Sequence, residues 1–384
     1  MKRIVPLVVV AIACILLIVP HIDPLTLGKR DFAFYWAAGR LALQQHNPYD
    51  HAAIQPLEQS LGFPGEHPIV PREPPWFLWT TLPFGMLPPM WAWAIWLSFS
   101  VISLMVSAQL CWRLQGWQSS DRRMFVCATW LFAPVLACLS SSQLGFMLLL
   151  GVMLFMWFEG RSDFWAGASL LLMAIKPQLF SIIWVVLLLW IMDRKRWFVA
   201  FGALSALAFA SGIAILIDSN VFANWYRGVF IEEPIAPLLI PSLAGIFRAL
   251  FFRRALWMQF VPAALGMAWG VRYYLRNREN WNWRTHGLGL LPVCLLVTPY
   301  EWFSDEVIVL PALLQVALWL RRSKRTNGRR VRQVALACLS GLLLLMVVSQ
   351  VPMPSGVYFW SALVWYGWWR LGRRESLSSA AAIE

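Results

Sequence analysis

Residues 4–20 read IVPLVVVAIACILLIVP, an apolar run that directly follows Met-Lys-Arg at the start of the chain. A helix needs about 20 apolar residues to cross the hydrocarbon of a bilayer, so this run predicts a first membrane helix with its basic end in the cytoplasm. No small-residue cleavage pattern follows the run, which favours an uncleaved helix over a signal peptide. The chain is therefore predicted to be an integral membrane protein.

The composition of the whole chain agrees with this prediction. Of the 384 residues, 59% are hydrophobic and 13% are charged, and the mean hydropathy is +0.60. Soluble globular domains carry about 25% charged residues. The 25 tryptophans fit the membrane–water interfaces, where an indole has one dry side and one wet side. These values predict an all-α, polytopic transmembrane bundle.

Twelve apolar segments are predicted to cross the membrane as one integral domain of residues 1–384. The predicted spans are 4–21, 88–111, 124–140, 144–158, 164–176, 179–192, 198–217, 255–274, 287–300, 307–320, 333–351 and 357–371. Several are shorter than a full crossing, and short helices with Pro and Ser at their ends indicate a cavity that enters the bilayer from one side. Two long segments, 22–87 and 218–254, would then be external loops, the first with interfacial helices.

The distribution of charge predicts that both termini are cytoplasmic. The predicted cytoplasmic loops hold 23 of the 32 basic residues, whereas 12 of the 19 acidic residues lie on the other side. This asymmetry explains the net charge of +13 without a nucleic-acid partner. The six cysteines all lie in apolar segments and form no CxxC pair, so they are predicted to be core residues. We expect a multi-pass protein of the cell membrane.

The segment DFAFYWAAGRLALQQ, residues 31–45, reads as a helix that begins at a lone acid, Asp31. An interfacial helix would hold this carboxylate level with the headgroups, on one face with Tyr35. A charge at bilayer depth costs about 2.5–3.5 kcal/mol on insertion scales, so such a residue is a functional candidate. A helix N-cap is the simple alternative, because carboxylates cap helices well.

A single basic residue, Lys176, lies between two apolar runs in LLLMAIKPQLF, residues 170–180. Pro177 is predicted to break the helix there, at an end that faces outward. An ammonium at this place suits an anionic phosphate. The alternative is a lysine that only extends its charge to the membrane surface.

Three further polar stretches have both a structural and a functional interpretation. TPYEWFSDEVIVLP, residues 298–311, is either a solvated acidic turn or a contact to a polyhydroxylated ligand, because carboxylates accept hydrogen bonds from hydroxyls and an indole packs on a sugar face. LSSSQLGF, residues 139–146, is either a tight polar turn or part of a site. Arg72 and Glu73 either pair with each other or contact a ligand. The three histidines of the first long loop match no metal signature.

No soluble catalytic motif is present: the chain has no Walker loop, no HExxH and no GxSxG. No segment outside the membrane is long enough for a nucleotide-binding domain. An enzyme of this kind would need a donor substrate that arrives through the lipid.

The order of the short motifs resembles glycosyltransferase family 87, the polyprenyl-phosphate-mannose-dependent mannosyltransferase type with the GT-C fold. The resemblance covers about residues 1–320. It is carried by DFAFYWAAGRLA, NPYD, PPWFLWTTLPFGMLPP, the Ser/Gln turn before LGFMLLLGV, IKPQ and TPYEWFSDEVIVLP.

This resemblance implies a reaction at the external membrane face. A hexose, mannose in the best-known members, would pass from a polyprenyl phosphate to a hydroxyl of a glycolipid or glycan acceptor with inversion. Asp31 matches the acidic base of the first external loop, and Lys176 matches the lysine of a Lys-Pro step that binds the donor phosphate. Trp302 matches the Trp motif late in the chain.

Further polar residues, inside and outside these motifs, are predicted to complete the site. Gln178 and Arg227 would join Lys176 at the donor phosphate, with Arg248, Arg253 and Arg254 as further candidates. The predicted substrate-binding residues are Tyr35, Asn47, Tyr49, Glu73, Gln143, Trp302, Asp305 and Glu306. No metal or other cofactor is required, because basic side chains provide the positive charge. The resemblance implies a His or another polar residue shortly after the Trp, whereas this chain has Ser304, Asp305 and Glu306 there, so the sugar and the acceptor stay open.

Two other functions use the same sequence features. A carrier or flippase for a sugar or a lipid-linked sugar would use the cavity without chemistry, although transporters often show two related halves and this chain shows no internal symmetry. A structural subunit would not need Asp31 and Lys176 to converge. One outward cavity that holds both residues favours the enzyme.

Overall fold

The computed structural model describes residues 4–232, 240–251, 256–322, 329–351 and 356–380, and every regular element in these ranges is helical. The prediction of an all-α protein is confirmed for this part of the chain. The α-helices are α1 Ile4–Ile18, α2 Phe32–Leu43, α3 His51–Ser60, α4 Leu82–Gly85, α5 Pro89–Gln115, α6 Arg122–Trp130, α7 Ala133–Ser141, α8 Gly145–Phe158, α9 Asp163–Met173, α10 Ser181–Arg194, α11 Trp197–Ile217, α12 Val221–Arg227, α13 Leu243–Phe251, α14 Val261–Asn277, α15 Leu291–Val297, α16 Leu310–Arg322, α17 Arg329–Val348 and α18 Ser361–Ala380.

The described residues contain five helical segments that are long and apolar enough to cross a membrane. They are Pro89–Gln115, Pro177–Arg194, Trp197–Ile217, Phe303–Arg322 and Val331–Val348. The bent pair α6–α7 adds a sixth when it is counted as one span. The chain is therefore a multi-pass membrane protein. The predicted number of twelve spans is not confirmed, because α1, α8, α9 and α14 have only 11–17 residues.

The break between α6 and α7 directs the chain toward the candidate site. The two helices meet at an angle of 49°. Pro134 lies in the first turn of α7, where its missing N–H costs no intrahelical hydrogen bond, whereas in the middle of one long helix it would remove one. Helix α7 then ends at Ser141, and Ser142 adopts a left-handed φ of 59°. The chain therefore turns sharply into Gln143.

Helix α2, for which the sequence predicts an interfacial location, is enclosed by other parts of the protein. Ten of its twelve residues are buried. Glycines allow its backbone to approach α4, because a Cβ on Gly39 would lie 2.4 Å from the carbonyl oxygen of Thr81, and a Cβ on Gly85 would lie 2.4 Å from the carbonyl carbon of Gly39. A helix this deeply enclosed holds its first residues in a defined position, which matters for Asp31. The membrane-interface location of the helices in 22–87, α2 included, stays a prediction.

The C-terminal helices combine a packed helix with a lipid-facing one. Helix α18 packs against α15 and α16, and its Trp365 and Trp369 are buried. In contrast, only 6% of the apolar segment Val331–Val348 of α17 is buried, so this helix is exposed along most of its length, as expected of a helix in contact with lipid. The residues just after α17 nevertheless reach the cavity described next.

Candidate active site

A cavity of about 920 Å³ lies where six separate parts of the chain meet. Its lining residues fall within 25–34, 69–73, 140–143, 175–178, 300–304 and 347–351, and Tyr358 completes the last of these parts. Among them are four basic and two acidic side chains, namely Lys29, Arg30, Arg72, Lys176, Asp31 and Glu73. The excess of basic groups suits an anionic ligand.

Asp31 stands immediately before α2, at the position where a capping side chain would bond to N–H groups of the first turn. Its carboxylate makes no such bond. Instead, Oδ2 accepts a hydrogen bond from Nε2 of Gln143, and the Asp31 backbone N–H donates to the carbonyl of Ser141 at 3.0 Å. The geometry therefore contradicts the capping interpretation and leaves the carboxylate at the cavity wall.

The turn at residues 140–143 is held from behind by two tryptophans of α5. Trp93 donates from Nε1 to Oγ of Ser142 at 2.9 Å, and Trp96 donates from Nε1 to the carbonyl of Ser142 at 2.9 Å. Ser142 itself is completely buried. The polar sequence LSSSQ is therefore a buried, anchored turn that presents Gln143 to Asp31.

Lys176 and Asp305 form a buried ion pair beside this turn. The distance from Nζ to Oδ1 is 2.8 Å, and the two side chains are 7% and 1% exposed. Lys176 also donates to Oε1 of Gln143 at 3.0 Å, while Oδ2 of Asp305 accepts from the backbone N–H of Trp302 at 3.1 Å. Lys176 thus lies between a carboxylate and an amide oxygen, which excludes the simple interpretation of a lysine that extends its charge to the membrane surface.

Tyr35 connects Gln143 with a second buried acid. Its hydroxyl lies 3.3 Å from Oε1 of Glu73 and 3.2 Å from Oε1 of Gln143. The Tyr35 ring packs against Phe77 and Trp96 at centroid distances of 5.3 and 5.5 Å. Such aromatic contacts fix the ring, so the hydroxyl has a defined place. Oε2 of Glu73 is buried and has no hydrogen-bond partner among the described residues.

Burial changes the protonation of both acids in the cavity wall. Burial raises the pKa of Asp31 to about 7, and the negative charges of Glu73 and Asp305 add to the rise, while Lys176 and the hydrogen bond from Gln143 oppose it. Burial also raises the pKa of Glu73, against the opposing charge of Lys176. A carboxyl group with a pKa near 7 is well matched to accepting a proton at neutral pH.

The remaining walls are aromatic on one side and apolar on another. Tyr300 and Trp302 contact each other edge to face at 5.8 Å, and the guanidinium of Arg72 lies over the Tyr300 ring at 5.2 Å. The apolar wall comes from Val347, Val351 and the ring of Tyr358, together with residues of the first loop. The cavity therefore offers charged, aromatic and apolar surfaces to one ligand set.

The sequence profile of glycosyltransferase family 87 matches residues 73–299, which are 227 of the 384 residues. The chain belongs to glycosyltransferase family 87. It is accordingly a membrane glycosyltransferase that acts on a sugar donor and an acceptor. Neither a curated protein nor a solved structure matches the chain significantly. The match includes Glu73, Gln143 and Lys176, whereas Asp31 and Trp302 lie outside it.

Six of the predicted site residues of this glycosyltransferase line one cavity. They are Asp31, Glu73, Gln143, Lys176, Gln178 and Trp302. Tyr35 and Asp305 lie directly behind the lining, because they contact Gln143 and Lys176. The structure thus brings together residues that are up to 271 positions apart in the sequence, while their individual roles stay predictions.

Other predicted site residues lie away from the cavity lining. Oδ1 of Asn47 accepts from the Tyr49 backbone N–H at 2.9 Å, and the Tyr49 hydroxyl donates to the carbonyl of Glu73 at 3.2 Å, so both residues support the loop behind Glu73. Arg227 is exposed at the end of α12. Arg253 and Arg254 lie outside the described residues, as does the side chain of Arg248.

The acidic turn near Trp302 differs from its predicted environment. Glu301, Asp305 and Glu306 are each at most 1% exposed, so the solvated-loop interpretation is wrong. Glu306 accepts hydrogen bonds from Oγ of Ser361 and, at 2.5 Å, from Nε1 of Trp365. Its carboxylate is therefore directed at α18, not at the cavity, and it holds that helix against the rest of the glycosyltransferase.

Several lining residues were not predicted as site residues. Arg30 lies next to Asp31 in the sequence, donates to the carbonyl of Ser140 and stacks on Trp93 at 4.7 Å. Tyr300 belongs to the quoted motif TPYEWF, and an aromatic pair one residue apart was a usable signal. Val347 and Val351 gave no signal, because an apolar residue at the end of a membrane helix resembles every other lipid-facing residue.

Proposed function

We propose that this glycosyltransferase moves a hexose, with mannose as the first candidate, from a polyprenyl-phosphate donor to a hydroxyl of a glycolipid or glycan acceptor at the external membrane face. The observation that carries the proposal is the single cavity in which Asp31, Lys176 and Trp302 meet in a member of family 87. The external location rests on the asymmetry of basic residues along the chain.

The proposed chemistry is an inverting displacement with Asp31 as general base. The acceptor oxygen attacks the anomeric carbon, the bond from that carbon to the phosphate oxygen breaks, and the acceptor proton passes to the Asp31 carboxylate. The polyprenyl phosphate leaves with the bonding electron pair. A correctly placed base contributes about 10²–10⁴ in rate, and the position of the carboxylate at the cavity wall supports this role.

The donor phosphate would bind at the basic side of the cavity. Lys176 uses N–H groups on Asp305 and Gln143, which leaves the third N–H of its ammonium for a ligand. Gln178 and Arg72 line the same cavity. Positive groups at the departing phosphate stabilise the negative charge that develops as the glycosidic bond breaks.

The aromatic and apolar walls fit the other parts of these substrates. Trp302 and Tyr300 offer ring faces on which a sugar can pack, and Glu73 has a free buried oxygen that can accept from a sugar hydroxyl. Val347 and Val351 lie at the end of the lipid-facing helix α17 and line the cavity, which supports the entry of a lipid chain at this side. An amphiphilic donor needs both surfaces in one cavity.

The decisive experiment incubates the purified protein with radiolabelled polyprenyl-phosphate mannose, glucose or galactose and a membrane lipid extract. We expect one donor to label an acceptor, and Asp31→Asn to lower this transfer by about 10²-fold or more, because asparagine cannot take the proton. Asp50→Asn is the matched control, since Asp50 lies outside the cavity and caps α3. Absence of any labelled product with folded protein, or full activity of Asp31→Asn, would refute the proposal.

A further inference from the structure

The side-chain amide of Gln143 is occupied by protein groups at both ends. Nε2 donates to Oδ2 of Asp31, while Oε1 accepts from Nζ of Lys176 at 3.0 Å and lies 3.2 Å from the hydroxyl of Tyr35. The residue is only 4% exposed. These contacts engage the amide oxygen and one of the two N–H groups of Nε2, so protein groups fix the orientation of the amide.

The contacts of the amide fix its orientation. An ammonium group has donors and no acceptor, so the amide oxygen must face Lys176. The amide nitrogen must then face Asp31, and Asp31 can only accept there. A hydrogen bond donated to a carboxylate favours its ionised form. The Lys176 ammonium thus fixes, through Gln143, a hydrogen-bond donor on Asp31 that favours the ionised carboxylate.

The backbone supports the same arrangement. The Asp31 N–H donates to the carbonyl of Ser141, two residues before Gln143, and the left-handed turn at Ser142 is held by Trp93 and Trp96. Asp31 is therefore held to the turn at residues 140–143 by two hydrogen bonds, one from the side chain of Gln143 to its carboxylate and one from its own backbone N–H to Ser141. Side chains held in this way keep their conformation when a substrate binds.

We propose that Gln143 is a positioning residue that binds Oδ2 of Asp31 and leaves Oδ1 to take the proton of the acceptor hydroxyl. This inference rests on the proposed function of Asp31 as the base. Within the described residues no hydrogen bond is made to Oδ1, in agreement with its assignment as the reactive oxygen.

The other charged and titratable groups that face Asp31 must be considered in any test. Lys176 favours the ionised carboxylate, whereas Glu73 and Asp305 oppose it. Tyr35 and Tyr300 are close enough that the Asp31 charge acts on them in turn. A substitution at Gln143 removes none of these groups, although it also removes the acceptor that the amide oxygen offers to Lys176 and Tyr35.

The test replaces Gln143 with methionine, which has a similar volume and no N–H donor. The protonation midpoint of Asp31 is measured by infrared difference spectroscopy of its carboxyl band, assigned with Asp31→Asn, and compared with the pH profile of kcat/KM for sugar transfer. We expect both midpoints to move upward by about one pH unit, because the donor to the ionised form is lost. Transfer at a pH below both midpoints should fall about tenfold and recover at high pH, since one unit changes the ionised fraction tenfold.

Two further variants keep this test decisive. Gln315→Met is the matched control, because Gln315 is equally buried, donates to the carbonyl of Arg284 and does not line the cavity, so neither midpoint should move. Gln143→Asn, one methylene shorter than the native side chain, cannot span from Asp31 to Lys176 and replaces the methionine variant if that one fails to fold.

The outcomes separate the two proposals. If wild type transfers sugar and the midpoints of Gln143→Met are unchanged, the positioning role is refuted and the proposed function stands. If wild type transfers no sugar from any donor, the proposed function and the positioning role of Gln143 are both refuted, even where the infrared midpoint moves. Movement of both midpoints with a normal control supports the inference.

Discussion

Replacing Lys176 with methionine should destabilise the protein and weaken donor binding, and adding Asp305→Asn should cause no further loss of stability and should not restore donor binding. The two side chains form an ion pair of 2.8 Å and are 7% and 1% exposed. Removing one partner of a buried ion pair costs about 3–5 kcal/mol, because the other charge is left buried without compensation. The pair therefore has a measurable effect on unfolding.

The remaining contacts of each partner set the size of the effect. Without Asp305, Lys176 still donates to Gln143, and without Lys176, Asp305 still accepts from the backbone of Trp302. We therefore expect the lower end of the range, about 3 kcal/mol of lost unfolding free energy for each single variant. The double variant holds neither charge and should lose no more than either single one, which is a coupling energy of about 3 kcal/mol.

Donor binding should follow a different pattern from stability. A hydrogen bond to a charged group is worth about 1.5–3 kcal/mol, so loss of the lysine should weaken the binding of a polyprenyl-phosphate sugar by about tenfold or more. This loss should appear in Lys176→Met and in the double variant alike. Asp305→Asn alone should bind the donor at least as well as wild type, because it removes a negative charge next to the ammonium.

The assay combines thermal unfolding in detergent with a donor-binding titration in lipid nanodiscs for all four proteins. Arg196→Met is the control, since the Arg196–Asp163 pair is 29% and 25% exposed and should contribute no more than about 1 kcal/mol. Additive stability losses in the double variant would refute the buried-pair account. Equal donor affinity of wild type and Lys176→Met would remove the lysine from the phosphate site.

Two other predictions concern Asp31. Because its carboxylate makes no capping bond, Asp31→Ser and Asp31→Ala should have unfolding free energies equal within about 0.5 kcal/mol. Asp50 accepts from the Ala52 N–H at 2.9 Å, so Asp50→Ser should be more stable than Asp50→Ala by about 1 kcal/mol. Thermal unfolding of the four variants checks this, and a higher stability of Asp31→Ser than of Asp31→Ala would restore the capping role. Sugar transfer should rise with pH and reach half its maximum near pH 7, because burial raises the pKa of Asp31 to about 7 and only the ionised base acts. The stability that the raised pKa contributes is present at low pH and is lost as the pH rises through the pKa of the folded carboxyl, near 7. A pH–rate profile that is flat across this range would contradict the assignment.

Some of the site was predictable from single positions in the sequence. A lone acid after the first helix and a lone lysine before Pro177 were recognisable, because charges next to apolar runs are costly and therefore rare. The acidic turn at 301–306 was also recognised, but its environment was not. Whether a carboxylate such as Glu306 meets water, a substrate or a tryptophan of α18 depends on a partner 59 positions away, and no local pattern contains that partner.

The sequence by itself determined that this chain is a helical membrane protein, because hydropathy is summed along consecutive residues. The predicted spans 88–111 and 198–217 accordingly correspond to Pro89–Gln115 and Trp197–Ile217. Only the tertiary structure decided that Asp31 meets Gln143 across 112 positions and that Lys176 meets Asp305 across 129. It also decided that α2 lies inside the protein, because that placement depends on the close approach of α4 at Gly39. Hydrogen bonds and ion pairs act over a few ångströms, so they follow from packing that local hydropathy does not encode.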